Sequence, residues 1–470
     1  MGTELGFGSI EGEVTASLDV EGELPAWLSG SLIRNGPGSF QVGDGEVAHW
    51  FDGLAMLRKF TFGDGVSYQN RFLRTDTYRA AERGEFDGGF ATGGDAGLLG
   101  QLRAMVLEDT YDNTNVIAER VGERYLAMTE TPRWTEFDPE TLDTLGSFEY
   151  AGEAPSGQLA CAHVHHDPWT GRVINIETEF GRTSRYHVYE MGSPAEREHV
   201  ATVPVEEPAY MHSFAATRRY VVLTEFPFVI DPLDFLRPGG DSTFIDNFRW
   251  EPERGTRLVV IDRRSGGVVA EPRVEPFFGF HGVNAYEDGD EIVLDVETVP
   301  DTESIGALYL DRLRDGAFDV FGGRFDRFCV EPRARGTPDV EHTRVYDGGT
   351  GLPTVSPAVR MREHRYAYAQ GADQPVTDWP DAVVKVDCET GDVREFERDG
   401  CYLSEPVFVP RPDGDHEDDG VVLSVGLDTT AERSVLYVLD GETLAERARA
   451  PLPHALPFDF HGRFFPELTG

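Results

Sequence analysis

Lysine is nearly absent from this 470-residue chain: Lys59 and Lys385 are its only two, and the other basic residues are arginine. Against 42 Lys+Arg stand 84 Asp+Glu, for a formal charge of -42. So acidic a surface repels a phosphate backbone and disfavours nucleic-acid binding. The acids are scattered through sequence that is 40% hydrophobic and 11% aromatic, so they decorate a folded core and do not form a disordered tail. Self-repulsion on this scale is relieved where salt screens it, and at molar salt the Debye length is about 3 Å. The expected setting is the cytoplasm of a halophile, specifically a haloarchaeon. Cysteine is scarce too. Cys161, Cys329, Cys388 and Cys401 are widely separated without C-x-x-C spacing, so neither a disulfide framework nor a zinc ribbon is indicated. No stretch approaches the roughly 18 uncharged apolar residues of a membrane helix, and residues 1–25 show no basic or apolar leader. The expectation is a cytosolic protein that can still touch a membrane surface from the inside.

Helical periodicity is equally rare, with residues 96–108 (AGLLGQLRAMVLE) its one plausible instance. Short β-rich runs recur instead: GERYLAMTE, GRVINIETE, RRYVVLTEF, TRLVVIDR, DEIVLDVET, DAVVKVDCE, DGVVLSVGL and SVLYVLDGE. FDPETLDTLG, HDPWTGRV, IDRRSGGVV, VDCETGDV and LDGETLAE each put an Asp at a strand end and turn formers after it, which reads as a hairpin. Their irregular spacing suits an all-β propeller whose blades carry insertions of different lengths, although a sandwich or several small barrels would share the pattern. No linker divides the chain. A single domain over 1–470 is expected, with an extended N-terminal segment at about 1–23 and a Gly-rich insertion at 84–100 over one face.

Four histidines share a setting. His163 lies in CAHVHHDPWTG, His212 in AYMHSFAATRRYVVLTE, His281 in FFGFHGVNAYEDGDEIVLD and His461 in LPFDFHGRFFPE, each flanked by small, aromatic or Gly residues beside a strand. Strand ends from different propeller blades converge on the central axis, so four imidazoles there would form one site. Neutral imidazole suits Zn, Cu, Fe or Ni; a tetrahedral ion would be closed and structural, whereas an octahedral one keeps two positions open. The alternative is four core histidines bonded to backbone carbonyls. A ligating His usually donates its other N–H to a carboxylate, and Glu130 (YLAMTETPRW) and Glu405 (CYLSEPVFVP) each follow an apolar strand in uncharged surroundings.

Together these motifs resemble the carotenoid cleavage oxygenases. The likeness starts at residues 24–40 (LPAWLSGSLIRNGPGSF), runs through 49–62 (HWFDGLAMLRKFTF) and 112–116 (DNTNV), and ends at 458–467 (FDFHGRFFPE), spanning almost the whole chain. It implies a seven-bladed β-propeller, with insertions capping the active-site face, in which His163, His212, His281 and His461 hold one Fe(II). His165 and His166 would then be strand or loop residues. Glu130 and Glu405 would orient ligands, and Thr114 would stand near the iron's open position. One element departs from the pattern: where the family has a third such Glu, GLPTVS puts Gly351, so one outer bond loses its usual partner unless water or another carboxylate takes its place.

The implied reaction adds O₂ across a C=C bond of an apolar polyene to give two carbonyl products. Such a substrate needs a mostly apolar tunnel, and residues 226–240 (FPFVIDPLDFLRPGG) and the 96–108 patch are candidate entrances at a membrane. The early motifs are similar to animal-type enzymes, which points to central cleavage of β-carotene to retinal. Eccentric cleavage, an apocarotenoid or stilbene substrate, and a retinoid binder, isomerase or metal-dependent lactonase are the other readings.

Overall fold

The computed structural model describes residues 2–86, 88–93, 111–150, 157–193, 197–234, 243–332 and 338–469. All eight β-rich runs form strands, rich in Val, Ile, Leu and Tyr that are buried where blades stack. The five Asp-led turns share one device. Oδ1 of Asp138, Asp167, Asp262, Asp387 and Asp440 each accepts the backbone N–H two and three residues on, closing the turn. The 96–108 patch lies outside the described residues.

The sheets follow chain order around a ring. Blade 1 pairs Thr15–Leu18, Val66–Phe72, Leu54–Phe62, Gly30–Ser39 and His461–Phe465. Blade 2 runs from Ile117–Val121 outward to Thr144–Ser147, blade 3 from Leu159–Ala160 and His165–His166 to Arg197–Val205, and blade 4 from Ala215–Ala216 to Gly267–Ala270. A seven-stranded sheet then holds blades 5 and 6. Its 16-residue strand Val340–Val355 pairs first with Gly323–Val330 and then with Tyr366–Ala372, so it is the outer part of one blade and the start of the next. Blade 7 includes Cys401–Leu403, Val407–Pro410, Gly420–Asp428, Arg433–Asp440, Glu446–Pro451 and Glu21–Gly22.

Neighbouring blades meet across apolar cores. Ile33 and Leu57 meet Ala127 and Phe137 between blades 1 and 2, and Ile176 and Val188 meet Leu223 and Val259 between blades 3 and 4. Leu32 and Phe60 pack on Leu423 and Leu436 between blades 1 and 7, which closes the all-β propeller at seven blades. The N-terminal segment is woven in: Thr15–Leu18 extends blade 1 and Glu21–Gly22 edges blade 7. Above one end of the ring, the short helices Glu303–Ala307 and Leu310–Arg314 and an aromatic group of Phe7, Trp50, Trp379 and Phe458 form a cap. Among the described residues no helix is long and apolar enough to cross a membrane, and the four cysteines are free thiols.

Candidate metal centre

The four histidines sit at the start of inner strands. His163 lies between the two short inner-strand pieces of blade 3, His212 precedes the inner strand of blade 4, His281 stands just before Gly282–Asp288 of blade 5, and His461 opens the strand that completes blade 1. The ring geometry therefore gathers residues that are far apart in the chain, and one nitrogen from each imidazole lies within 4.8 Å of the others. Nε2 of His163 and Nε2 of His212 are 2.9 Å apart, and Nε2 of His281 is buried without a hydrogen-bond partner.

The outer nitrogens are held separately. His212 Nδ1 lies 2.6 Å from Glu130 Oε1 and His461 Nδ1 lies 2.8 Å from Glu405 Oε1. A carboxylate on Nδ1 keeps the proton there and leaves the Nε2 lone pair facing the common centre. Burial and the neighbouring imidazoles push His163 and His281 well below the ordinary histidine range, so both are neutral near pH 7. Nε2 lone pairs of His212 and His461 aimed at one centre, beside the orphaned buried Nε2 of His281, are unfavourable for protein alone, and a divalent cation fits them. Other histidines show the contrast: His165 Nε2 meets the Phe214 carbonyl and His49 Nε2 the Ile305 carbonyl, the ordinary arrangement of core histidines. His166 pairs with Glu119. As expected, His165 and His166 form a strand outside the cluster.

A third carboxylate is present after all. Another carboxylate takes the place of the one that Gly351 does not supply, because Glu297 Oε2 lies 3.1 Å from His281 Nδ1. Thr114 is fully buried; its hydroxyl donates to Thr135 Oγ1 and its carbonyl accepts from Asn35.

Several supporting residues gave no sequence signal of their role. Tyr210 Oη is 2.9 Å from both Glu130 oxygens; only its place two residues before His212 hinted at it. Arg34 forks onto Asp459 at 2.6 and 2.7 Å and reaches the Glu405 carbonyl, while Gly462 N–H donates to Glu405 Oε2. Glu405 is thereby fixed by the strand that carries His461.

Asp295, His364 and Cys388 form a second cluster of metal-ligand types. Its chemistry argues against a metal. Asn284 accepts from Met361 N–H, which orients its amide, so its NH₂ donates to His364 Nδ1 and the His364 proton sits on Nε2, facing Asp295. Arg327 already occupies both Asp295 oxygens at 2.7 Å.

The four-His centre borders a cavity of about 320 Å³ walled by Trp50, Phe51, Phe90, Phe280, Leu308 and Trp379. At its rim Phe321 is 39% exposed. The proposed entrance at 226–240 is different: Phe226, Phe228, Val229 and Ile230 are buried in the protein core, and Leu233 is exposed, with 235–240 outside the described residues. Phe90 is held on the wall by buried Asp52, which accepts from the N–H groups of Phe90 and Ala91 and the hydroxyl of Thr92. Asp52→Ala strands those donors and is expected to cost about 1–3 kcal/mol in denaturant unfolding. Burial raises the Asp52 carboxyl from 3.8 to about 6. Its pH-dependent contribution is therefore full below pH 3.8 and lost as pH rises through 6, a limb that the variant's stability profile should lack.

A family model described as retinal pigment epithelial membrane protein matches residues 7–466. The carotenoid isomerooxygenase of Galleria mellonella is 33% identical, with 98% of this chain and 96% of the relative covered. The β,β-carotene 15,15'-dioxygenase of Gallus gallus is 30% identical over 96% of this chain and 95% of its own. Cobalt-substituted Synechocystis apocarotenoid oxygenase superposes with a TM-score of 0.86 at 27% identity, covering 98% of each chain. The chain therefore belongs to the retinal pigment epithelial membrane protein family, the carotenoid oxygenases.

Proposed function

We propose that this enzyme is an Fe(II)-dependent dioxygenase that cleaves β-carotene at its central double bond. The C=C bond breaks, one atom of O₂ goes to each carbon, and two molecules of retinal result. The observation that carries this reading is the meeting of four imidazoles, three of them backed by carboxylates, beside an aromatic cavity. The similarity to a β,β-carotene 15,15'-dioxygenase supports the choice of bond.

His163, His212, His281 and His461 would hold the iron, which supplies the electrons that O₂ activation needs. Four neutral ligands leave the full cationic charge in place and favour the ferrous over the ferric ion. Glu130, Glu297 and Glu405 orient the imidazoles through Nδ1, and these carboxyls are engaged there and not poised as free acid or base. Phe51, Phe90 and Phe280 exclude water and offer flat apolar walls to a polyene. A lactonase would direct its carboxylates to the ion itself, whereas these face ring nitrogens.

In this reading the enzyme works in the cytoplasm of a halophile and takes its substrate at the inner face of the membrane. Its acidic surface requires apolar insertion for that contact, because basic attraction to lipid headgroups is lacking. The test is anaerobic purification in high salt, Fe(II) loading, and incubation with detergent-solubilised β-carotene and O₂, with products separated by chromatography. Retinal as sole product is expected. Apocarotenals of unequal length would move the cleaved bond, and no product despite bound iron would sink the reading.

A further inference from the structure

The geometry points to Glu297 as the positioning residue for His281, a carboxylate supplied from the second strand of the ligand's own blade to make up for the glycine at 351. The assignment rests on the metal-binding reading above. Glu297 lies in Glu291–Thr298, and its backbone N–H donates to the His281 carbonyl at 3.0 Å while its Oε2 meets His281 Nδ1 at 3.1 Å. Backbone and side chain thus grip the same residue from one position. His281 Nε2, on the opposite side of the ring, is the buried nitrogen without a partner. The grip fixes the direction in which that nitrogen points.

Two glycines fit this role. A Cβ at Gly323 would stand 2.3 Å from Glu297 Oε1 and 2.5 Å from its Cγ, so the carboxylate has its place only because position 323 has no side chain. A Cβ at Gly351 would find Gln370 Oε1 at 3.3 Å as its one near neighbour. Position 351 borders the cavity and is open, so its glycine is not enforced by crowding. Space is cleared around Glu297 and left unused at Gly351. A buried carboxyl with a single side-chain partner costs stability unless that partner needs it, and Glu297 has His281.

Loss of an outer partner of this kind costs about 10–100-fold in metal affinity. The experiment is titration of the metal-free, full-length protein with Co(II), followed by its visible absorption, and with Fe(II) under anaerobic conditions. Glu297→Leu is expected to weaken both metals by about 10–100-fold and to alter the Co(II) band, while metal-free protein unfolds at the same or a higher denaturant concentration. Glu297→Gln keeps an oxygen acceptor for Nδ1–H and should retain most of the affinity. Gly323→Ala should weaken binding as Glu297→Leu does, by displacing the carboxylate. Wild-type affinity in Glu297→Leu would overturn the assignment, as would a parallel loss of metal-free stability, which would make Glu297 a structural residue. Failure of the wild type itself to bind either metal would overturn the metal reading instead.

Discussion

Iron content in the His281→Ala variant is expected to fall below detection, with cleavage activity lost and the propeller intact. His281 contributes a nitrogen that no protein group uses, so its removal subtracts from the metal centre without breaking a structural hydrogen bond at Nε2. The remaining three imidazoles stay backed or packed as before, with Glu130 on His212 and Glu405 on His461. Glu297, however, is left as a buried acid with no side-chain partner, so the variant should also lose some stability. The effect on metal binding should exceed the roughly 10–100-fold typical of losing an outer partner, because a direct ligand is gone. Metal analysis of anaerobically loaded protein, beside far-UV circular dichroism, checks both parts. Full iron retention with full activity would remove His281 from the centre.

The second large effect concerns stability. Arg34→Met is expected to destabilise the protein by about 3–5 kcal/mol, the usual consequence of removing one partner from a buried ion pair. Arg34 is fully buried, forks onto Asp459, and stands 3.6 Å from Glu405 Oε2. Deleting it removes the cation these two buried carboxylates share, and Arg58, 3.7 Å from Asp459, offsets only part of the loss. The Arg34 and Arg58 cations hold the Asp459 carboxyl below its ordinary range. Its contribution in the wild type is thus present above the unfolded value near 3.8 and lost as pH falls through the lower folded value. Urea unfolding at pH 7 measures the loss, and a repeat at acid pH should find the two proteins closer together. Equal midpoints at pH 7 would show that the pair is dispensable.

The sequence was most legible where chemistry is local. The eight β-rich runs became strands because strand propensity and turn chemistry act over a few residues, and the Asp-led turns closed as their composition required. The four ligand candidates, Glu130 and Glu405 were legible through long motifs shared with a family. Glu297 was not. It lies within DEIVLDVET, where an acidic residue in an alternating strand looks like any solvent-facing carboxylate, and only the pairing of two strands reveals that it faces His281. Tyr210, Arg34 and Asp459 were hidden for the same reason, since their partners come from distant parts of the chain. Thr114 could be matched to a motif by its place in the chain, but its hydroxyl partner, Thr135 across the blade, could not be read from the sequence.

The strand that completes blade 1 comes from the far end of the chain, pairing Asn35 with His461. A ribosome therefore makes three of the imidazoles before the fourth exists, and the ring must stay open until residues 461–465 emerge. The four-His centre is therefore complete only once that strand has paired with Ser31–Asn35.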